Sequence, residues 1–115
     1  MADTLISRMF HQIDQADWTE LATCFHPEVI YERPGYEPLV GLDRLMRFYR
    51  DERAIVESHH TLDEVLRVAE SGAAWGQVVG RLVTGVAFDL QFAEIYRFTD
   101  GLVAVRRSYF FTPAV

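Results

Sequence analysis

Near residue 57 the apolar residues change from a spacing of three to four to a spacing of two, and this switch restricts the fold more than any other feature. Before it, Leu5, Ile6, Met9, Phe10 and Ile13 form one helical stripe that Asp3 or Thr4 can cap. Asp17-Trp-Thr-Glu20 is a variant capping box opening a short second helix through Leu21 and Phe25, stopped at Pro27. Val29, Ile30 and Tyr31 suit a short strand ended by Pro34-Gly35. Gly41 then precedes an amphipathic helix bearing Leu42, Leu45, Met46 and Tyr49. After the switch, Glu57 to Phe111 reads as four long antiparallel strands, interrupted at Ser71-Gly72, Thr84-Gly85 and Asp100-Gly101. Helices followed by a strand meander predict an α+β domain, with helices packed on one face of a curved sheet and a pocket at its open end.

A chain of 115 residues fits one domain, residues 1–115, because a single core serves ~100–150 residues before chains split. Half the residues are apolar, enough for a core without staples. The lone Cys24 excludes an internal disulfide and lies in an apolar helical pattern, where it reads as a small buried hydrophobe. All eleven cationic side chains are arginine. Without lysine, Schiff-base chemistry and P-loop phosphate binding are excluded. A net charge of −6 opposes a nucleic-acid partner, and no long apolar run or leader pattern is visible, which predicts a soluble cytoplasmic protein without membrane contact. Gly76 and Gly80 fall on the same face of one strand, where they can permit strong bending, leave cavity space or receive a helix.

One acid interrupts an apolar row. In the run from Val86 to Phe98, the greasy phase holds Phe88, Leu90, Phe92, Glu94, Tyr96 and Phe98. A carboxyl buried there is either protonated, and so a donor, or ionised beside a cation; both states serve proton transfer. Arg106 is the expected partner, placed by the Asp100-Gly101 hairpin opposite Glu94 or one step diagonal, in phase with Ser108 and Phe110. A purely structural ion pair is the other reading of the same residues. His59 and His60 point to opposite faces and cannot share a metal; His60 keeps phase with Leu62, Leu66 and Val68 and is the candidate for the cavity. No metal site is expected. Tyr109, Phe110 and Phe111 read as sheet packing or a dimer face.

The Tyr31-Glu-Arg-Pro-Gly35 loop, the Gly41 to Tyr49 helix and the Ile95 to Val103 hairpin give the chain a resemblance to the SnoaL-like and ketosteroid isomerase-like members of the nuclear transport factor 2 superfamily. The resemblance implies a cone-shaped sheet around the N-terminal helices, a cofactor-free pocket for a small hydrophobic organic substrate, and a homodimer formed through the sheet. In the ketosteroid isomerase pattern the general-base position falls on Arg33, with Glu32 beside it; the first oxyanion position falls on Met9, the second on Glu94, and the supporting tyrosine on Tyr49. Loss of the base and of the first oxyanion tyrosine argues against steroid isomerisation. The epoxide hydrolases of the superfamily need an asparagine, and this chain has none. The expectation is an acid/base enzyme, cyclase, isomerase or dehydratase, acting on a small carbonyl compound. Glu94, Arg106, His60 and Tyr49 would be catalytic, with Arg33, Glu32, Met9, Phe92, Ser108 and Phe110 around the substrate. A non-catalytic binding protein using the same pocket is the competing expectation.

Overall fold

A computed structural model describes residues 4–112. Two helices, α1 (Thr4–Gln15) and α2 (Trp18–Ala22), precede strand β1 (Phe25–Glu32). A two-residue strand β2 (Leu39–Val40) leads into α3 (Leu42–Arg47), whose last turn, Phe48–Glu52, widens to π geometry. The meander follows as β3 (Ile55–Val68), β4 (Ser71–Leu82), β5 (Ala87–Thr99) and β6 (Leu102–Phe110). One six-stranded sheet results, in the order β2-β1-β6-β5-β4-β3 and antiparallel except where β1 meets β6. The α+β architecture is the one expected from the change of period.

The expected stripe of α1 is buried throughout: Leu5, Ile6, Met9, Phe10 and Ile13 pack against inward residues of the sheet such as Val78, Phe92, Tyr96 and Val103. Each large side chain so enclosed contributes roughly 1.5–3 kcal/mol. Cys24 is buried among them. Asp17 caps α2 by accepting from the Glu20 N–H, but its own N–H is spent on Gln12 O, so the capping box stays one-sided. The alternative helix cap at Asp3 lies outside the described residues.

Three boundaries differ from the sequence reading, each for a local reason. The second helix ends at Ala22, and Pro27 sits inside β1, where pairing with β6 jumps from Phe25↔Val103 to Ile30↔Val105. That irregular stretch asks no N–H of proline. The first hairpin turns at Ala69–Glu70, leaving Ser71 and Gly72 in β4. Gly72 is kept for close approach instead: a Cβ there would lie 2.9 Å from the Phe98 ring. In β3, a shift between Leu62 and Glu64 reverses the phase, so that Val65 joins the core edge while Leu66 and Val68 face outward.

Gly76 and Gly80 decide the curvature. A Cβ on either would sit 1.9 Å from a β3 carbonyl oxygen, Thr61 O or Glu57 O. The space is taken by the neighbouring strand, neither left as cavity nor filled by a helix, and this close approach lets β3 wrap over β4. At Asp100-Gly101 both residues have positive φ, 54° and 75°, the geometry of a tight two-residue hairpin.

Candidate functional site

The concave face of the sheet, α1 and the π turn enclose a cavity of about 580 Å³. Aromatic rings line its walls, Tyr31, Phe48, Phe88, Phe92 and Phe110 among them, and so do several ionisable side chains. Chain alternation delivers two of them: Glu94 from β5 and Arg106 from β6, each 3 % exposed. The hairpin registers Glu94 with Ser108 and Tyr96 with Arg106, so acid and arginine stand one step diagonal.

Arg106 grips Glu94 with two parallel bonds, Nε to Oε1 at 2.7 Å and Nη2 to Oε2 at 2.8 Å. Tyr96 donates to Oε1 at 2.6 Å and Ser108 to Oε2 at 2.5 Å. Each oxygen therefore accepts twice, which fills the carboxylate's lone-pair directions. Because Ser108 spends its proton on Glu94, the Tyr31 hydroxyl must be the donor in its 2.9 Å bond to Ser108 Oγ. Burial would push the Glu94 carboxyl up, but the Arg106 charge and these bonds outweigh it and hold it below its ordinary value. Burial also raises the Tyr31 and Tyr96 phenols, which stay protonated. This arrangement differs from the expected proton carrier: an ionised acid with four donors has no free lone pair to offer a substrate.

Its partner retains capacity. Arg106 has five N–H donors, of which two serve Glu94 and one, from Nη1, serves the Tyr49 hydroxyl at 2.7 Å. Two N–H groups are left over. Tyr49 accepts from Arg106 and so keeps its own O–H to donate. The π turn supplies Phe48, Tyr49 and Glu52 to the cavity wall, a common use of such a bulge.

A second cluster stands across the Phe10 ring, which lies 4.6 Å from the His60 ring and 5.5 Å from the Arg106 guanidinium. Asp14, on α1, takes His60 Nδ1 at 2.6 Å on Oδ1 and the His60 backbone N–H at 2.8 Å on Oδ2. Ser58 donates to Oδ1 at 2.9 Å and itself accepts from Arg53 at 3.2 Å. Burial works against ionisation of Asp14, yet the bonds and charge of His60, with Ser58, keep its carboxyl below its ordinary value. An ionised Asp14 can only accept, so His60 donates from Nδ1, and whenever the ring is neutral Nε2 is the nitrogen without a proton. Among the described residues Nε2 has no hydrogen-bond partner, and His60 lines the cavity.

Of the site residues read from sequence, Glu94, Arg106, His60, Tyr49, Arg33, Phe92 and Phe110 all line this cavity. Three do not. Met9 is fully buried in the core. Glu32 points to the outer side, paired with Arg107 at 3.0 Å, as a strand neighbour of the loop must. Ser108 stands behind Glu94, out of reach of a ligand. His59 faces solvent. Sequence reasoning missed Asp14 and Arg53. Asp14 carried a signal, since it lies four residues after Phe10 and eight after Ile6, on the apolar stripe itself. Arg53, beyond the end of a helix, carried none.

The chain belongs to the SnoaL-like domain family, whose model matches residues 6–106. No functionally curated protein matches it. Among solved structures, it is similar to an NTF2-like protein of unknown function from Burkholderia pseudomallei K96243, with 19% identity, a TM-score of 0.84, and 93% of this chain and 88% of that one covered. It is also similar to a limonene epoxide hydrolase-like epoxide hydrolase of M. tuberculosis, with 12% identity, a TM-score of 0.82, and coverage of 93% and 80%. A third is TerC, co-crystallised with polyporic acid, with 15% identity, a TM-score of 0.80, and coverage of 93% and 88%. At these identities the likeness establishes the NTF2-like fold. Family and fold thus agree with the resemblance read from the sequence.

Proposed function

We propose that this protein is a cofactor-independent acid/base enzyme that moves a proton on a small, mainly apolar carbonyl compound, as in polyketide-type cyclisation, isomerisation or dehydration. One observation carries the reading: Asp14 holds His60 by ring and backbone together, leaving Nε2 free at the cavity. Nε2 takes a proton from the carbon beside the carbonyl. The developing enolate oxygen receives the Tyr49 O–H and a spare Arg106 N–H, donors already oriented before reaction. Glu94 aims and anchors Arg106 without exchanging a proton. Proteins of the same fold described as a putative SnoaL-like polyketide cyclase and a putative ketosteroid isomerase, and one co-crystallised with polyporic acid, support this use of the pocket.

The outer sheet face completes the proposal. Trp75, Ala93 and Tyr109 stand in one registered row, with exposed Val79 and Ile95 beside them, a surface suited to a second copy of the chain. Among the described residues no helix is long and apolar enough to cross a membrane. With that composition, a cytoplasmic homodimer is the proposed working form.

The test is incorporation of solvent deuterium beside the carbonyl in a panel of small aromatic and polyketide-type ketones, followed by NMR. The protein should accelerate exchange in at least one ketone, and His60→Gln should reduce that acceleration about 100-fold or more with the circular dichroism unchanged. Acceleration of none of them, or equal rates for His60→Gln, removes the enzyme and leaves a binding protein.

A further inference from the structure

Four arginines line the cavity, and they divide into two kinds. Arg106 is neutralised by Glu94, and Arg44 pairs with Glu52 at 2.8 Å. Arg33 and Arg53 form no ion pair with any described carboxylate, although both are partly withdrawn from water. The Arg33 guanidinium lies between two rings, 4.3 Å from the centre of Phe48 and 4.4 Å from that of Tyr36. Its Nε is the one buried side-chain polar atom among the described residues without a hydrogen-bond partner. Arg53 lies 5.7 Å from the Tyr49 ring and 5.9 Å from Trp18, and it donates to the neutral Ser58 hydroxyl at 3.2 Å.

Burial disfavours the Arg53 charge more than Tyr49, Tyr31 and Asp14 together restore it, with Arg106 adding repulsion. Asp14 is reached through Ser58 and is already spent on His60. Glu37 lines the same opening but is exposed and pairs with neither arginine. The aromatic faces around both cations orient them without cancelling their charge. A buried or half-buried guanidinium with donors to spare is a site for an anion.

We infer that the natural ligand is itself an anion, a planar and mainly apolar molecule whose carboxylate, or equally acidic enolate, is held by Arg33 and Arg53 while its body lies along the aromatic walls. The inference deepens the proposed function, because it names the substrate class for the same cavity. It depends on that reading only for the place of the ligand. A ligand so anchored would bring its carbonyl toward Tyr49 and Arg106, with the negative end kept at Arg33 and Arg53.

Paired ligands that differ only in charge test this by calorimetry: 2-naphthoate against methyl 2-naphthoate, and anthraquinone-2-carboxylate against its methyl ester. At least one acid should bind ten-fold or more tightly than its ester. Arg33→Met and Arg53→Met should each weaken the acid about ten-fold and leave the ester unchanged. Arg33→Lys, which keeps the charge, should retain part of the preference. Should one methionine variant fail to fold, the other and the unmodified protein still decide the result. Equal affinity for acid and ester, no binding of any of the four, or variants that weaken both alike would overturn the inference. The outcomes separate from those of the enzyme proposal: a preference for acids without deuterium exchange sinks only the catalysis, and exchange of neutral ketones without that preference sinks only the anion.

Discussion

The two carboxylates near the cavity look alike in sequence logic and behave differently in space. Glu94 and Asp14 are each ionised, largely enclosed and surrounded by donors. What separates them is the residue each one holds. Arg106 can only donate, so the Glu94 cluster is a charge-balanced wall that offers hydrogen-bond donors and takes up no proton. His60 has a second nitrogen, so the Asp14 cluster can take up a proton. The proposed acid/base role therefore falls to the partner with a spare lone pair and not to the more deeply buried acid.

The largest effect expected from breaking this contrast is on stability at the Glu94 cluster. Arg106→Leu leaves an ionised acid buried with its counter-charge removed, and urea unfolding should show a loss of about 3–5 kcal/mol. Adding Glu94→Leu should recover most of that loss, since the unpaired charge is then gone. A loss below about 1 kcal/mol in the single variant would mean that water already reaches Glu94.

At the other cluster the effect should fall on rate. Asp14→Asn removes the acceptor that selects the ring nitrogen, and deuterium exchange should slow about 10–100-fold, the range for such outer partners. The ligand's affinity should change little, because Asp14 does not line the cavity. Loss of affinity with unchanged rate at saturation would assign Asp14 to binding.

The curvature that brings the clusters together gives a smaller effect. Gly76→Ala forces its Cβ against Thr61 O and should cost about 1–3 kcal/mol, read as a lower urea midpoint. An unchanged midpoint would mean that β3 and β4 separate there without penalty.

The smallest effect near neutrality is that of pH. For both Asp14 and Glu94, burial raises the carboxyl and the surrounding donors and charges more than reverse it, so folded values lie below unfolded ones. Their contribution is complete above the unfolded carboxyl value of about 4 and disappears as pH falls through the folded values. The urea midpoint should hold from about pH 7 to 5 and drop below about 4, with a shallower drop in Asp14→Asn. A midpoint that falls already between pH 7 and 5 would contradict the depressed carboxyls.

Much of this was legible in the chain because period and punctuation are local. The stripe of α1, the alternation of Phe88 to Phe98 and the Asp100-Gly101 turn all follow from neighbours in sequence. The diagonal pairing of Glu94 with Arg106 followed from that turn to within one step. Bulges hid the rest. The shift after Leu62 exchanged Leu66 for Val65, and the irregularity around Pro27 turned an expected helix end into a strand. Asp14 stands on the apolar stripe, but its partner stays hidden until β3, some 46 residues later, is laid against it. The saturation of Glu94 was equally invisible, since it needs Ser108, Tyr96 and Arg106 at once.

The most direct measurement is the nitrogen-15 spectrum of the His60 ring at about pH 8.5, above the usual histidine range. The proposed role requires a ring with its proton on Nδ1, bonded to Asp14, and a bare Nε2 whose shift moves when a carbonyl ligand enters the cavity. A proton found on Nε2 in the free protein would contradict the account, for His60 would then have nothing with which to take one.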